Sequence, residues 1–390
     1  MSRPPLTFIF AVTLTGILNN TLVTPALPDI LADLGVESDR SGILVAAGSV
    51  AGIVMAPVVG VLADRHGRRL VLTICLAAFG LFGGLAALAP TFPILLGARF
   101  LQGFGSAGLI NLAIVLIGDH WDGSERTRIV GRNSAVLTVG LASLPLLSGA
   151  VTDAAGWRVT FGIYTVSLLT AGVAWMILDG RRPAQPAKVG EQLREAVVVV
   201  RRPLIATSIA AGFFAFVAIF GLMLTVLPVH LAEEFGLGAG ARGVVISIPA
   251  ITSTVSAFNL GRIRSRLSPR AVVTAGSVLF VVAFLMYGLA PALAIVIGGA
   301  LIFGSAEGAL IPTLQDLNIE AAPADHRAAV VAAWSGAARL GQTIGPLLAG
   351  VGIGLFGTGT TLVIGSTAAL AIAAIGLVGP LPTKPQPVEG

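Results

Sequence analysis

The chain has 390 residues, of which 55% are hydrophobic and only 11% charged, and its mean hydropathy is +0.92. That composition excludes an ordinary soluble domain. The net charge of +5 is compatible with a nucleic-acid partner on its own, but the placement of the arginines argues against one.

About 20 apolar residues in helical form cross a bilayer core. Twelve such segments follow one another, near 6–27, 40–63, 70–89, 94–117, 129–151, 159–178, 203–229, 241–260, 271–290, 292–314, 328–353 and 360–380. Runs of this length predict helices, since barrel strands would be about 10 residues of alternating polarity. The first run has one basic residue, no clear A-x-A site, and Pro25 and Pro28 at its end, so it reads as a span and not as a signal peptide. The expectation is an all-α polytopic membrane protein with no catalytic machinery.

The second half repeats the first. Residues 60–69, GVLADRHGRR, have a counterpart 201 residues later in GRIRSRLSPR, Gly261–Arg270. Arg126, Gly140, Pro145 and Gly149 map onto Arg327, Gly341, Pro346 and Gly350 at the same offset. Leu27-Pro28 returns as Leu227-Pro228, and FGSA at 104–107 returns at 303–306. Parallel repeats in a membrane protein point to a transporter with its binding site at their interface. The predicted domains are a six-helix bundle over 1–178, a cytoplasmic linker over 179–202 and a second bundle over 203–390. Leu193, Val197 and Val200 recur at helical spacing in the linker, which predicts a partly amphipathic surface helix.

Arginines crowd alternate loops: Arg65, Arg68 and Arg69, then Arg126 and Arg128, the 180–202 linker, and Arg262, Arg264, Arg266 and Arg270. The intervening loops hold only Arg40, Arg158 and Arg242. This is the positive-inside pattern, and it places both termini in the cytoplasm of a cell whose inner membrane the chain spans. The excess charge is then explained by topology and by anionic lipid, not by nucleic acid. Cys75 is the only cysteine, and His66, His120, His230 and His326 show no metal-ligand spacing. The two lysines, Lys188 and Lys384, lie in no phosphate-cradling loop, so neither ATP nor a cofactor or metal is expected.

The loop Gly60-x-x-x-Asp64-Arg65-x-Gly67-Arg68-Arg69 resembles the cytoplasmic signature of the major facilitator superfamily at all six specified positions. Arg99-Phe-Leu-Gln102-Gly103-Phe-Gly105 is similar to the fourth-helix segment of its drug/proton antiporters, and Trp157-Arg158 also resembles them. Two stretches depart from the antiporter pattern. The fifth helix reads Leu144-Pro145-Leu-Leu-Ser148-Gly149, while the eleventh holds the better copy, Gly345-Pro346-Leu-Leu-Ala349-Gly350. Where many antiporters have an acid in the first helix, this chain has Asn19 and Asn20, which cannot titrate. The resemblance implies two pseudo-symmetric bundles rocking around a central cavity lined by helices 1, 4, 5, 7, 10 and 11. It also implies that Gly60, Asp64, Arg65, Gly67, Arg68 and Arg69 form a cytoplasmic latch. Ser265 replaces Asp64 in the second copy, which predicts a weaker latch there.

Three charges fall within the hydrocarbon depth: Arg99, Glu307 and Arg339. A charge at the membrane centre costs about 2.5–3.5 kcal/mol on insertion scales, so each needs a partner, a wet cavity or a function. Glu307 is the only acid at that depth, and it is read either as a proton-coupling residue, with Arg339 and Arg99 assisting, or as a static partner of Arg339. Arg99 either serves function or hydrogen-bonds first-helix carbonyls. Asn19, Asn20, Gln102, Asn111, Asn133 and Gln342 are expected to face the interior, each more readily as a helix–helix hydrogen bond than as a ligand contact. Phe216 and Phe220 are possible cavity walls and equally possible packing. Pro145, Gly149, Gly345, Pro346 and Gly350 shape gating kinks. The expected function is proton-driven efflux of a small hydrophobic or amphipathic compound by a monomer. The alternatives are transport of an organic anion or sugar derivative, and a transport-dead receptor or scaffold.

Overall fold

A computed structural model describes residues 3–180, 200–323 and 326–385, so most of the linker, including Leu193 and Val197, lies outside the described residues. Among these residues the chain is helical, and the helices long and apolar enough to cross a membrane are nine, or eleven when each bent pair is taken as one span. The last of them, Ala329–Val378, contains Gly357 at φ 76°, ψ 171°, so it is two spans joined at a break. Only glycine accepts that φ without strain. The spans among the described residues are thus consistent with the twelve apolar segments and follow their order, and the chain is a multi-pass membrane protein.

Most helices outrun their apolar segments. The first span continues through Val23–Asp33, the fourth through His120, the seventh through Phe235 and the tenth through Ala321. The apolar run marks only the part that lies in hydrocarbon, and the helix continues to where caps stop it. Asp33, His230 and Glu233 therefore sit on helix ends, not in loops.

The first span bends by 41° where Leu6–Thr21 meets Val23–Asp33. Pro25 and Pro28 supply no N–H there, while the Thr21 and Thr24 hydroxyls back-bond to the Ile17 and Asn20 carbonyls. Ser148 donates to the Leu22 carbonyl at 2.5 Å, so the residue that departs from the antiporter pattern in the fifth span serves this bend.

The contacts divide the chain into two compact units. The first comprises Met1–Glu37, Ile43–Val189 and Gly238–Val244; the second comprises Ser38–Gly42, Gly190–Leu237 and Val245–Gly390. In the first, Tyr164 packs edge-on against Phe79 and Phe161, with both pairs of centroids 5.4 Å apart. Gly149 is where the backbone of Ala239 and Gly240 presses closest. In the second, Phe280 stacks on Phe303 at 4.6 Å, Phe284 and Tyr287 complete the cluster, and Gly350 admits the Asp39 carbonyl and Gly42. Pro346 also lies against Gly42, and Gly345 against Val217 and Gly221. The segment Ala218–Val226 of the seventh span is a π-helix, and the Thr225 hydroxyl accordingly reaches five residues back, to the Phe220 carbonyl at 2.7 Å. Ile74, Leu169, Met176, Phe258, Leu348 and Val378 point outward, as suits a chain surrounded by hydrocarbon.

Candidate functional site

The fourth span, Phe92–His120, carries Arg99 into the interior of the first unit at 0% exposure. Its Nη2 donates to the Asn19 carbonyl at 2.8 Å, and its Nη1 to Gln102 Oε1 at 2.6 Å and to the Tyr164 hydroxyl at 3.4 Å. Tyr164 in turn donates toward the Leu18 and Asn19 carbonyls, both 3.2 Å away. The guanidinium fits because Gly48 has no side chain; a Cβ there would collide with Nη2. Asn19 Nδ2 donates to the Gly48 carbonyl at 3.1 Å and lies 3.5 Å from Asn20 Oδ1. Arg99, Asn19, Asn20 and Gln102 are thus brought together, with Arg99 bonding first-span backbone. Three atoms of this cluster, Asn19 Oδ1, Gln102 Nε2 and Arg99 Nε, are buried without a hydrogen-bond partner. Tyr164 was not singled out from sequence. Its signal is weak: one of only two tyrosines, four residues from Thr160 on an otherwise apolar span.

The other interior amides do not join this cluster. Asn133 accepts from the Thr13 hydroxyl at 2.7 Å, a buried helix–helix bond within the first unit. Asn111 is exposed and lines a cleft of about 260 Å³ with Gly60, Asp64, Arg68 and Gly108. Gln342 is half-buried on the eleventh span. Phe216 packs on Trp334 at 6.1 Å and on Phe220 at 6.3 Å, against the core of the second unit.

The signature loop turns at Gly67, whose φ of 92° demands glycine. Arg68 bonds Asp64 across that turn and reaches Asp119 of the fourth span at 3.2 Å. The Arg69 guanidinium lies over the Trp175 ring, 4.0 Å from its centroid, while Arg65 is exposed. In the second unit the arginine of the loop also finds acids. Ser265 bonds only the Arg262 carbonyl, but Arg264 reaches Asp316 at 2.5 Å and Glu320 at 3.3 Å. The acid missing from the loop is supplied by the end of the tenth span, and an alignment of the loops alone does not reveal it.

Glu307 sits halfway along the tenth span, Leu293–Ala321, half-buried. Among the described residues no ion pair joins it to Arg339, which is half-buried on the eleventh span. Tyr287, on the ninth span packed beside the tenth, is fully buried, and its hydroxyl has no hydrogen-bond partner among the described residues. Gly299 makes room for the Tyr287 ring.

A second cluster of the first unit was not foreseen. Arg242, read from sequence as a loop arginine, lies in the first turn of the eighth span with its side chain 3% exposed. It pairs with Asp29 and donates through Nε to the Pro25 carbonyl at 3.0 Å, beside Asp153, which accepts from the Gly240 amide at 2.8 Å. Its position in Gly240-Ala-Arg242-Gly243, at the entrance to an apolar run, looks like an interfacial residue. Only the helical turn sends the side chain inward.

Comparison with known proteins agrees with this architecture. The sequence model of the Major Facilitator Superfamily matches residues 9–241 and 209–390. The hexuronate transporter of Bacillus subtilis (strain 168) is 26% identical over 259 residues, which are 64% of this chain and 61% of that protein, less than two thirds of its length. The bacillibactin exporter of the same organism is 26% identical over 70% of this chain and 71% of its own. The inward-facing, unoccupied structure of a bacterial homologue of the human lysosomal transporter Spinster superposes with a TM-score of 0.82 at 17% identity, over 96% of this chain and 95% of that one. With the apolar spans, the repeated halves and the signature loop already in place, a match running through both halves leaves one assignment: the chain belongs to the major facilitator superfamily.

Proposed function

We propose that the chain is a proton-coupled exporter of a small hydrophobic or amphipathic compound, working by alternating access. The observation that carries the coupling is Glu307, an acid halfway along the tenth span with no ion pair among the described residues. A permanently charged acid in that place would require a fixed cation. The exporter among the relatives supports the direction of transport. The test is uptake and efflux of a compound panel by proteoliposomes with and without a pH gradient. The expected result is accumulation that depends on the gradient. Accumulation of a hexuronate or another organic acid in its absence would replace this reading with anion transport, which the hexuronate transporter supports.

The same reading places the chain in an inner membrane as a monomer, with both termini and the arginine-rich loops in the cytoplasm and with bundles over 1–178 and 203–390. In a Cys75→Ser background, a cysteine at His66 is expected to label from the cytoplasmic side and one at Ala155 from the opposite side. Labelling of both from one side would refute the topology.

The latch reading rests on Asp64, the acid between Arg68 and the rest of the loop. Asp64→Asn removes a charge-assisted bond of about 1.5–3 kcal/mol. The expected result is a shift of the conformational equilibrium by about tenfold or more, away from the cytoplasm-closed state, read from spin-label distances across the cytoplasmic gate. Unchanged distance distributions would leave the loop as a topology signal only.

A further inference from the structure

Arg69 and Arg270 stand at the repeat offset, each as the second residue of the helix that follows its arginine-rich loop. Each is followed one turn later by a threonine, Thr73 and Thr274. Neither arginine finds a carboxylate among the described residues. In the first loop Arg68 takes both Asp64 and Asp119, and in the second Arg264 takes Asp316 and Glu320.

The second unit supplies an acceptor from its own backbone. Arg270 Nη2 donates to the Gly379 carbonyl at 2.6 Å, just past the twelfth span, and the Arg270 amide donates to the Pro382 carbonyl at 3.1 Å. Gly376 lets that helix end come close, since a Cβ there would strike the Thr274 hydroxyl. At the matching position the first unit holds Trp175, and the Arg69 guanidinium lies over that ring instead. Among the described residues no hydrogen bond or ion pair joins Arg69 to an oxygen. Both arginines leave Nε buried and unpartnered, so the two copies differ in their outer nitrogens. A ring face attracts the cation but does not accept along the plane of its fork. Thr73 adds a hydroxyl that is buried without a partner, whereas Thr15, Thr21 and Thr24 spend theirs on the carbonyl four residues back.

The surroundings indicate what the missing acceptor is. Leu70, Ile74 and Met176 flank the pair and are exposed, so this edge faces the bilayer. Gly180 leaves the outer side of the fork open, because a Cβ there would meet only Nη1, at 3.9 Å. Basic pockets between spans at such an edge attract lipid headgroups, and a phosphate diester offers two oxygens that match a guanidinium fork.

We propose that Arg69, Trp175 and Thr73 form a headgroup site for an anionic phospholipid on the arginine-rich side of the membrane. The lipid phosphate takes, in the first unit, the place that the Gly379 carbonyl takes in the second. Trp175 covers one face of the guanidinium and so favours a charged acceptor over water. The site is separate from the Asp64–Arg68 bond and does not depend on what is transported.

The experiment is native mass spectrometry of the delipidated full chain, titrated with phosphatidylglycerol, with phosphatidylcholine and with inorganic phosphate. The unaltered protein is expected to retain one phosphatidylglycerol in preference to phosphatidylcholine, and inorganic phosphate at the same concentration should not displace it. Arg69→Gln should weaken this first binding by about tenfold, the loss of roughly one hydrogen bond between charged groups. Arg69→Lys keeps the charge without the fork and should weaken it by about threefold, which keeps the test open if the glutamine variant does not fold. Arg266→Gln removes an equal charge from an exposed position of the second loop and should leave binding unchanged. Binding by a folded Arg69→Gln equal to that of the parent overturns the proposal. So does an equal loss in Arg266→Gln, which would reduce the effect to a general attraction of the basic rim. Equal retention of phosphatidylcholine, or displacement of the lipid by inorganic phosphate, would overturn it as well.

Discussion

Glu307→Gln is expected to abolish transport driven by a pH gradient while leaving substrate binding and substrate exchange close to those of the unaltered protein. Glutamine keeps the size of the side chain and its hydrogen-bonding capacity but fixes the neutral state. Other acids do not replace it. Asp29 and Asp33 lie near the end of the first span, paired with Arg242 and Arg158. Glu233 is bound by Ser38 and Thr358, while Asp64 and Asp316 are held by arginines at loop ends. Among the described acids only Glu307 lies at mid-span depth. The measurement is gradient-driven accumulation in proteoliposomes beside counterflow exchange in the same vesicles. If the glutamine variant still concentrates substrate at the expense of the gradient, Glu307 is a packing residue and the coupling site lies elsewhere. If both activities vanish together, the residue binds substrate and not the proton.

Arg99→Leu is expected to be the most destabilising single change in the first unit. Arginine there is fully buried and bonds the Asn19 carbonyl, Gln102 and Tyr164 at once. Leucine fills most of the space but strands those groups. Each buried group left unpaired costs about 1–3 kcal/mol in soluble proteins, and hydrogen bonds inside membranes run nearer 0.6 kcal/mol on average. A loss of about 2–4 kcal/mol follows from these ranges, read as a lower unfolding temperature of the detergent-purified protein. Arg99→Lys should recover only part of it, because a point charge does not reproduce the planar fork. A leucine variant as stable as the parent but unable to bind substrate would turn Arg99 from an anchor into a ligand residue.

The spans, their order and the repeat were legible in the sequence because each depends on a property averaged over about 20 residues. The signature loop was legible because its glycine, acid and arginines are tied to one turn, with Gly67 at positive φ. What escaped was set by single side-chain directions. Arg242 and Arg158 look alike as residues between apolar runs. Yet the former is 3% exposed on Asp29, and the latter is 44% exposed on Asp33. Tyr164 and Tyr287 were passed over because a tyrosine in an apolar run reads as core, which both are; only the placement of their hydroxyls separates them. Tyr164 spends its hydroxyl on the first span, and that of Tyr287 is left over. The pairing of Arg264 with Asp316 was hidden for a related reason: the repeat preserves the need for an acid, not the residue that provides it.

The π-helix at Ala218–Val226 bears on how this chain tolerates changes of length. A π turn accommodates more residues than an α turn over the same rise. Deleting one residue from this segment would let it close into an ordinary α-helix without exposing any peptide group to lipid. Insertion into the bilayer would proceed as before. Because the wide turn is what holds the extra residue, its loss would restore ordinary winding and leave the faces on either side close to where they were, Phe216 on Trp334 and Gly221 on Gly345. The seventh span is thus a place where a chain shortened by one residue would still be inserted and would still present its two ends to the neighbours they have now.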